Sequence, residues 1–220
     1  LALALALLTA VTVFVISASY SQIIELFPTG GGGYLVATKL LGPKAGLVSG
    51  SALVVDYMLT ITISIASSAD ALFSFLPIAF QPVKIFAEVL LIFGLILLNL
   101  RGVKESVLIL LPIFLLFIVM HFVGILLGVG PHLSAMPTLV ANSYNEVVRD
   151  TQTLGLLATL AILLHAYSLG GGTYTGIEAV SNGLQILREP RVETGKKTML
   201  YMATSLAFTA SGILLCYLLN

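Results

Sequence analysis

Charged residues are scarce in this sequence of 220 residues, where Asp, Glu, Lys and Arg together make up 9%. An ordinary soluble domain carries about 25%. Ten basic residues balance ten acidic ones, so the chain lacks the basic excess that a nucleic-acid-binding protein needs. The single cysteine, Cys216, excludes a disulfide within the chain and a cysteine-rich metal site.

Apolar residues are correspondingly abundant and make up 58% of the sequence, without counting its 20 glycines. So apolar a chain cannot cover a soluble surface with polar groups, and long windows without charge match the roughly 20 residues that a membrane-spanning helix needs. The sequence therefore predicts an all-α polytopic membrane protein. We predict spans at residues 1–20, 45–75, 83–98, 106–127, 153–187 and 198–219.

The two ends of the sequence are apolar. Leu1 opens directly into an apolar run without a basic segment before it or a small-residue cleavage site after it, which does not fit a signal peptide. We therefore expect residues 1–220 to be one transmembrane domain fragment of a longer, transporter-sized protein.

Basic residues alternate between loops and predict the orientation of the chain. Eight of the ten basic residues lie in alternate loops between the predicted spans. The loops on the other side of the membrane carry only Lys84 and Arg149. Cytoplasmic loops of membrane proteins carry the excess of Lys and Arg, so we predict that the first, third and fifth loops between spans are cytoplasmic. The basic residues of those loops are Lys39, Lys44, Arg101, Lys104, Arg188, Arg191, Lys196 and Lys197.

A carboxylate lies inside the second predicted span. Asp56 at the centre of a helix costs about 2.5–3.5 kcal/mol on insertion scales, so it should face a cavity or a partner. Thr60 and Ser64 follow at intervals of four residues and share its helical face. Carboxylate and hydroxyl oxygens suit a small hard cation or a hydrogen-bonded substrate. Hydrogen bonding between helices remains the alternative interpretation.

Three consecutive glycines, Gly170, Gly171 and Gly172, interrupt the fifth predicted span. As one straight helix residues 153–187 would be roughly 50 Å long, against a hydrocarbon core of about 30 Å. We therefore predict an unwound break between about residues 169 and 176. Broken helices at this depth form substrate and ion sites, with Thr175 and Glu178 just beyond the break, on one face if a second half-helix begins there. A glycine packing notch, with Glu178 paired structurally, is the alternative.

Three sequence motifs resemble those of the amino acid–polyamine–organocation (APC) superfamily. PTGGGGY at residues 28–34 resembles the P-x-G-G-G-x-Y segment between its second and third helices, and NLRGVK at residues 99–104 resembles its loop between the fourth and fifth. YTGIEAVSN at residues 174–182, followed by REP at residues 188–190, resembles its broken sixth helix and the loop beyond it. The chain would then hold helices two to seven.

This resemblance implies a LeuT-like fold of two inverted repeats, with substrate bound between the broken first and sixth helices. The Thr-Gly-Ile-Glu sequence at residues 175–178 is more similar to potassium importers of the KimA type than to amino-acid permeases. In those importers a matching Asp-x3-Thr-x3-Ser stripe and a Thr-x-x-Glu segment are implicated in coordinating potassium. The resemblance thus implies potassium ligands at Asp56, Thr60, Ser64, Thr175 and Glu178, with the metal ion held mainly by Asp56 and Glu178.

The sequence-based expectation is a proton-coupled secondary transporter in the plasma membrane. The substrate would be potassium or, alternatively, an amino acid carried by a proton-coupled permease of the same fold. A carboxyl group can hold either a proton or a cation, so Glu178 is the residue through which we expect the two to be coupled. No arrangement of residues indicates hydrolysis, and we expect neither enzyme activity nor a cofactor. A homodimer is left open.

Overall fold

The computed structural model describes residues 1–220 as a helical chain without a β-strand. Six helical segments are long and apolar enough to cross a membrane, which confirms the predicted number of spans. The helices are α1 (Ala2–Leu26), α2 (Gly32–Leu41), α3 (Pro43–Phe73), α4 (Lys84–Arg101), α5 (Val103–Val129), α6 (Met136–Leu154), α7 (Leu156–Leu169), α8 (Glu178–Asn182) and α9 (Arg191–Leu219).

The chain forms two compact units. The larger unit comprises Leu1–Ser49 with His121–Asn220, and the smaller unit is Gly50–Met120. The boundaries between them fall inside α3 and α5.

The core of the larger unit is built on α1 and α9, which run antiparallel. Glu25 near the end of α1 pairs with Lys196 near the start of α9, whereas the Ser211 hydroxyl donates to the Ala6 carbonyl 3.1 Å away, near the opposite ends. Four of the five buried residues of α9 are glycine or alanine, the small residues that are enriched where helices pack in membranes. The buried residues of α9 are Gly195, Met199, Ala203, Ala207 and Gly212.

A glycine turn joins α1 to the short helix α2 and contacts the segment around α8. Gly30 and Gly31 have φ angles of +80° and +93°, a region that glycine enters without steric cost. The Gly31 N–H donates to the Asn182 carbonyl at 3.3 Å, and the Gln185 amide donates to the Thr29 carbonyl at 2.7 Å. The first and fifth loops between spans therefore lie together, as the alternation of basic residues predicts.

Pro131 and Pro137 predict a polar loop before the fifth span, but this segment is helical. A 3₁₀ turn (Gly130–Ala135) leads into α6, and Pro137 lies in the first turn of that helix, where its missing N–H removes no hydrogen bond. The fifth span begins later than predicted because α6 continues to Leu154 and Gly155, with a φ angle of +86°, separates it from α7.

In the smaller unit, the connection between α3 and α4 contains Pro77 and Pro82. The connection contains a 3₁₀ turn at Ile78–Val83. Lys84 at the start of α4 pairs with Asp70 of α3 and lies 3.9 Å from Glu88 on its own helix. The two carboxylates near these span ends therefore share one cation.

Candidate functional site

The helix of the fifth span is interrupted where the glycines predict. α7 ends at Leu169, and residues Gly170–Tyr174 form a 3₁₀ turn. Thr175 is extended, with a ψ angle of 136°, and Gly176 has a φ angle of +98°. α8 begins only at Glu178. This arrangement confirms the predicted break.

No other residue of this chain packs against the three glycines of the break. A Cβ atom added to Gly170, Gly171 or Gly172 would meet no atom within 4 Å, so no neighbouring side chain or backbone occupies the space beside them. Glycine instead weakens the helix, by about 1 kcal/mol per residue relative to alanine. The positive φ angle of Gly176 then turns the chain, a conformation that is costly for any residue with a Cβ.

Glu178 folds its carboxylate back onto the break. The Gly176 N–H donates to both of its oxygens, Oε1 at 3.1 Å and Oε2 at 3.0 Å. Thr175 and Glu178 are both half-buried, but Thr175 precedes α8. The condition for a shared face, a half-helix that begins at Thr175, is therefore not met, because the turn at Gly176 delays the helix to Glu178. The carboxylate therefore lies beside the unwound backbone at Thr175 and Gly176.

The segment that follows the break is packed into the core of the larger unit. Ile177 and Leu184 are fully buried, and Ser181 is 1% exposed. Leu184 fits between two glycines: a Cβ on Gly30 would lie 3.6 Å from the Leu184 Cβ, and one on Gly195 would lie 2.8 Å from its Cδ1. The packing holds Glu178 at the start of an anchored segment.

Two tyrosines flank the glycines and contact α1. The Tyr167 hydroxyl lies 2.6 Å from the Thr12 hydroxyl, and the Tyr174 hydroxyl donates to Thr9 Oγ1 at 3.5 Å. The two tyrosine rings are 6.0 Å apart and inclined by 42°. The sequence analysis missed these four residues. The sequence feature that could have indicated them is a pair of threonines three positions apart in an apolar helix, together with one tyrosine on each side of the glycines.

The stripe on α3 belongs to the smaller unit, whereas Thr175 and Glu178 belong to the larger one. Asp56 and Thr60 are half-buried, and Ser64 is exposed. Their approach to the segment at residues 175–178 stays a prediction.

Comparison with known proteins identifies the family. The sequence pattern of the family described as "Amino acid permease" matches residues 1–218, almost the whole chain. This protein belongs to the amino acid permease family. Its membership and its six apolar helices make it a multi-pass membrane protein, and the resemblance to the APC superfamily is confirmed.

The potassium transporter KimA of Bacillus subtilis (strain 168) is a curated relative of this protein. The two are 36% identical over 195 residues, which cover 89% of this chain and 31% of the relative. The similarity to KimA-type proteins inferred from the motifs is thereby confirmed. The chain spans about a third of the length of that relative.

Proposed function

We propose that this protein is a secondary active transporter that takes up potassium together with protons by alternating access. The observation that carries the proposal is the carboxylate of Glu178, held beside unwound backbone at the break that follows the apolar span Leu156–Tyr174. Broken helices supply the ion and substrate sites of secondary transporters. The 36% identity to a potassium transporter supports potassium as the transported ion.

Five residues would bind the ion. Asp56 and Glu178 supply negative charge, and Thr60, Ser64 and Thr175 supply neutral oxygen atoms, which together form the hard oxygen environment that alkali cations prefer over sulfur or nitrogen. Residues 1–220 would then form one transmembrane domain fragment in the plasma membrane, equivalent to helices two to seven of the family. Coupling follows because a proton and a potassium ion compete for the Glu178 carboxyl group.

A proton-coupled amino-acid permease is the second candidate. The description of the matched family favours it. It would use free backbone N–H groups at a helix break to bind the substrate carboxylate. In this structure the Gly176 N–H is already occupied by the Glu178 carboxylate, which favours a cation over an anionic group at this position.

The test is potassium uptake into liposomes that contain the full-length protein, driven by a proton gradient. Glu178→Gln retains one acceptor oxygen for the Gly176 N–H but cannot ionise. We therefore expect it to fold normally and to lose gradient-driven uptake. The matched control is Glu193→Gln, because Glu193 is exposed in the first turn of α9 and should retain uptake.

Three results separate the alternatives. Full proton-driven uptake by Glu178→Gln would refute the assignment of that residue. Uptake of an amino acid without potassium flux by the unsubstituted protein would favour the second candidate. Loss of uptake in both variants would show that the effect is not specific to Glu178.

A further inference from the structure

The path of the backbone through the break is not fixed by the glycines themselves. No atom lies within 4 Å of the Cβ positions of Gly170, Gly171 or Gly172, and glycine populates more backbone conformations than any other residue. The direction in which the chain leaves α7 must therefore be set by the residues on either side of this run.

Contacts to α1 exist on both sides of the run. Tyr167 in the last turn of α7 contacts Thr12 at 2.6 Å, and Tyr174 at the end of the 3₁₀ turn contacts Thr9 at 3.5 Å. Thr9 and Thr12 are three residues apart and so lie on one face of α1. Four hydroxyl groups thus connect the two edges of the break to one surface.

That surface is itself firmly packed. Thr9 is 9% exposed, and Val13, one position after Thr12, is fully buried in the core with α9. The tilted contact between the Tyr167 and Tyr174 rings, 6.0 Å apart, adds a direct connection across the glycines. Since Thr175 follows Tyr174 directly, the position of Tyr174 determines where Thr175 begins.

We propose that Tyr167 and Tyr174 are positioning residues, whose hydroxyl contacts with Thr12 and Thr9 hold the break against α1 and so place Thr175 and Glu178 for ion binding. The inference rests on the proposed function and adds no residue to the proposed ion site. The tyrosines act through the backbone, and neither contacts the ion.

The test is a double-mutant cycle on the shorter contact, in the full-length protein. Potassium uptake into liposomes is measured against potassium concentration for Tyr167→Phe, Thr12→Val and the double variant. Losing one hydrogen bond should raise the half-saturating concentration roughly three- to tenfold in each single variant. The double variant should match the single ones, because partners in one contact are not additive. The maximal rate should stay within about twofold.

Two further variants, at Tyr174 and Tyr217, show whether the half-saturating concentration depends on the length of the contact and on its position. Tyr174→Phe should give a smaller rise than Tyr167→Phe, because hydrogen bonds weaken steeply with length and misalignment. Tyr217→Phe is the matched control, since Tyr217 is 82% exposed on α9, and it should leave the half-saturating concentration unchanged. The unfolding temperature without potassium is recorded for every variant, because a merely structural role would lower it without moving the half-saturating concentration.

Two outcomes would overturn the inference: unchanged half-saturation in folded Tyr167→Phe and Thr12→Val, or a double variant whose effect is the product of the two single ones. If the unsubstituted protein transports an amino acid instead, the same cycle is measured with that solute. If it transports neither solute, the proposed function has failed, and hydrogen exchange decides the positioning role. Tyr167→Phe should then speed exchange at residues 170–176, and an unchanged rate there would refute the role.

Discussion

The two sides of the broken span differ in how they are held. The segment after the break packs three buried side chains, Ile177, Ser181 and Leu184, into the core and receives the glycine turn between α1 and α2. α7, before the break, buries only Thr159. Most of its apolar side chains are not covered by residues 1–220, and Leu164 is 63% exposed. The segment after the break is thus held by buried side chains, whereas α7 is connected to α1 through hydroxyl groups.

This difference suggests how the site would work. Within residues 1–220, the Glu178 carboxylate begins a segment that is packed into the core, whereas α7 buries one side chain and contacts Thr12 of α1 through the Tyr167 hydroxyl. Alternation between conformations requires an element with two arrangements of similar free energy. Under the proposed alternating access, α7 would be the element that moves, and α8 would belong to the fixed frame.

Removing one apolar side chain on each side of the helix break tests the difference in packing, with the largest expected effect. Leu184→Ala deletes a fully buried side chain and should lower the free energy of unfolding by about 2–5 kcal/mol, the usual range for a core leucine. Leu164→Ala, on the exposed side of α7, should change it by less than about 0.5 kcal/mol. Denaturant unfolding of the purified full-length protein measures both. Equal losses would contradict the asymmetry.

Alanine substitutions of two glycines test the same difference in packing, with a smaller expected change in the free energy of unfolding. Gly30→Ala puts a Cβ at a φ angle of +80° and 3.1 Å from the Asn182 carbonyl oxygen, which should cost about 1–2 kcal/mol from the backbone conformation alone. Gly171→Ala meets no atom within 4 Å and should be neutral or stabilising by up to about 1 kcal/mol. The measurement is the shift in unfolding midpoint. A destabilised Gly171→Ala would mean that the glycines before the break are closely packed after all.

The sequence predicted the helix break well because two independent physical limits coincide there. A segment of 35 residues exceeds the bilayer, and the glycines at residues 170–172 are where a helix is weakest. The prediction of a loop before the fifth span failed because Pro131 and Pro137 were interpreted as helix breakers. The half-buried residues Met136, Leu139, Ser143 and Val147 follow the helical period and would have indicated α6.

Other features depend on contacts between distant parts of the chain and could not be predicted. The contact between Thr12 and Tyr167 joins residues 155 positions apart. The threonines and tyrosines mark polar positions in apolar helices, but they do not by themselves show that α1 and α7 are neighbours. The close approach of Gly30 to Asn182 is of the same kind. The meeting of Asp56 with Glu178 stays a prediction for the same reason, since it requires the arrangement of two separate units.

Hydrogen–deuterium exchange on the full-length protein in lipid nanodiscs tests the central claim most directly, because it reports backbone hydrogen bonding residue by residue. The account predicts fast exchange at residues 170–176, where regular α-helical bonding is absent, and slow exchange in α1, α9 and residues 177–186. Uniformly slow exchange from Leu156 through Ile186 would show a continuous helix and contradict the break, the anchored segment and the site built on them.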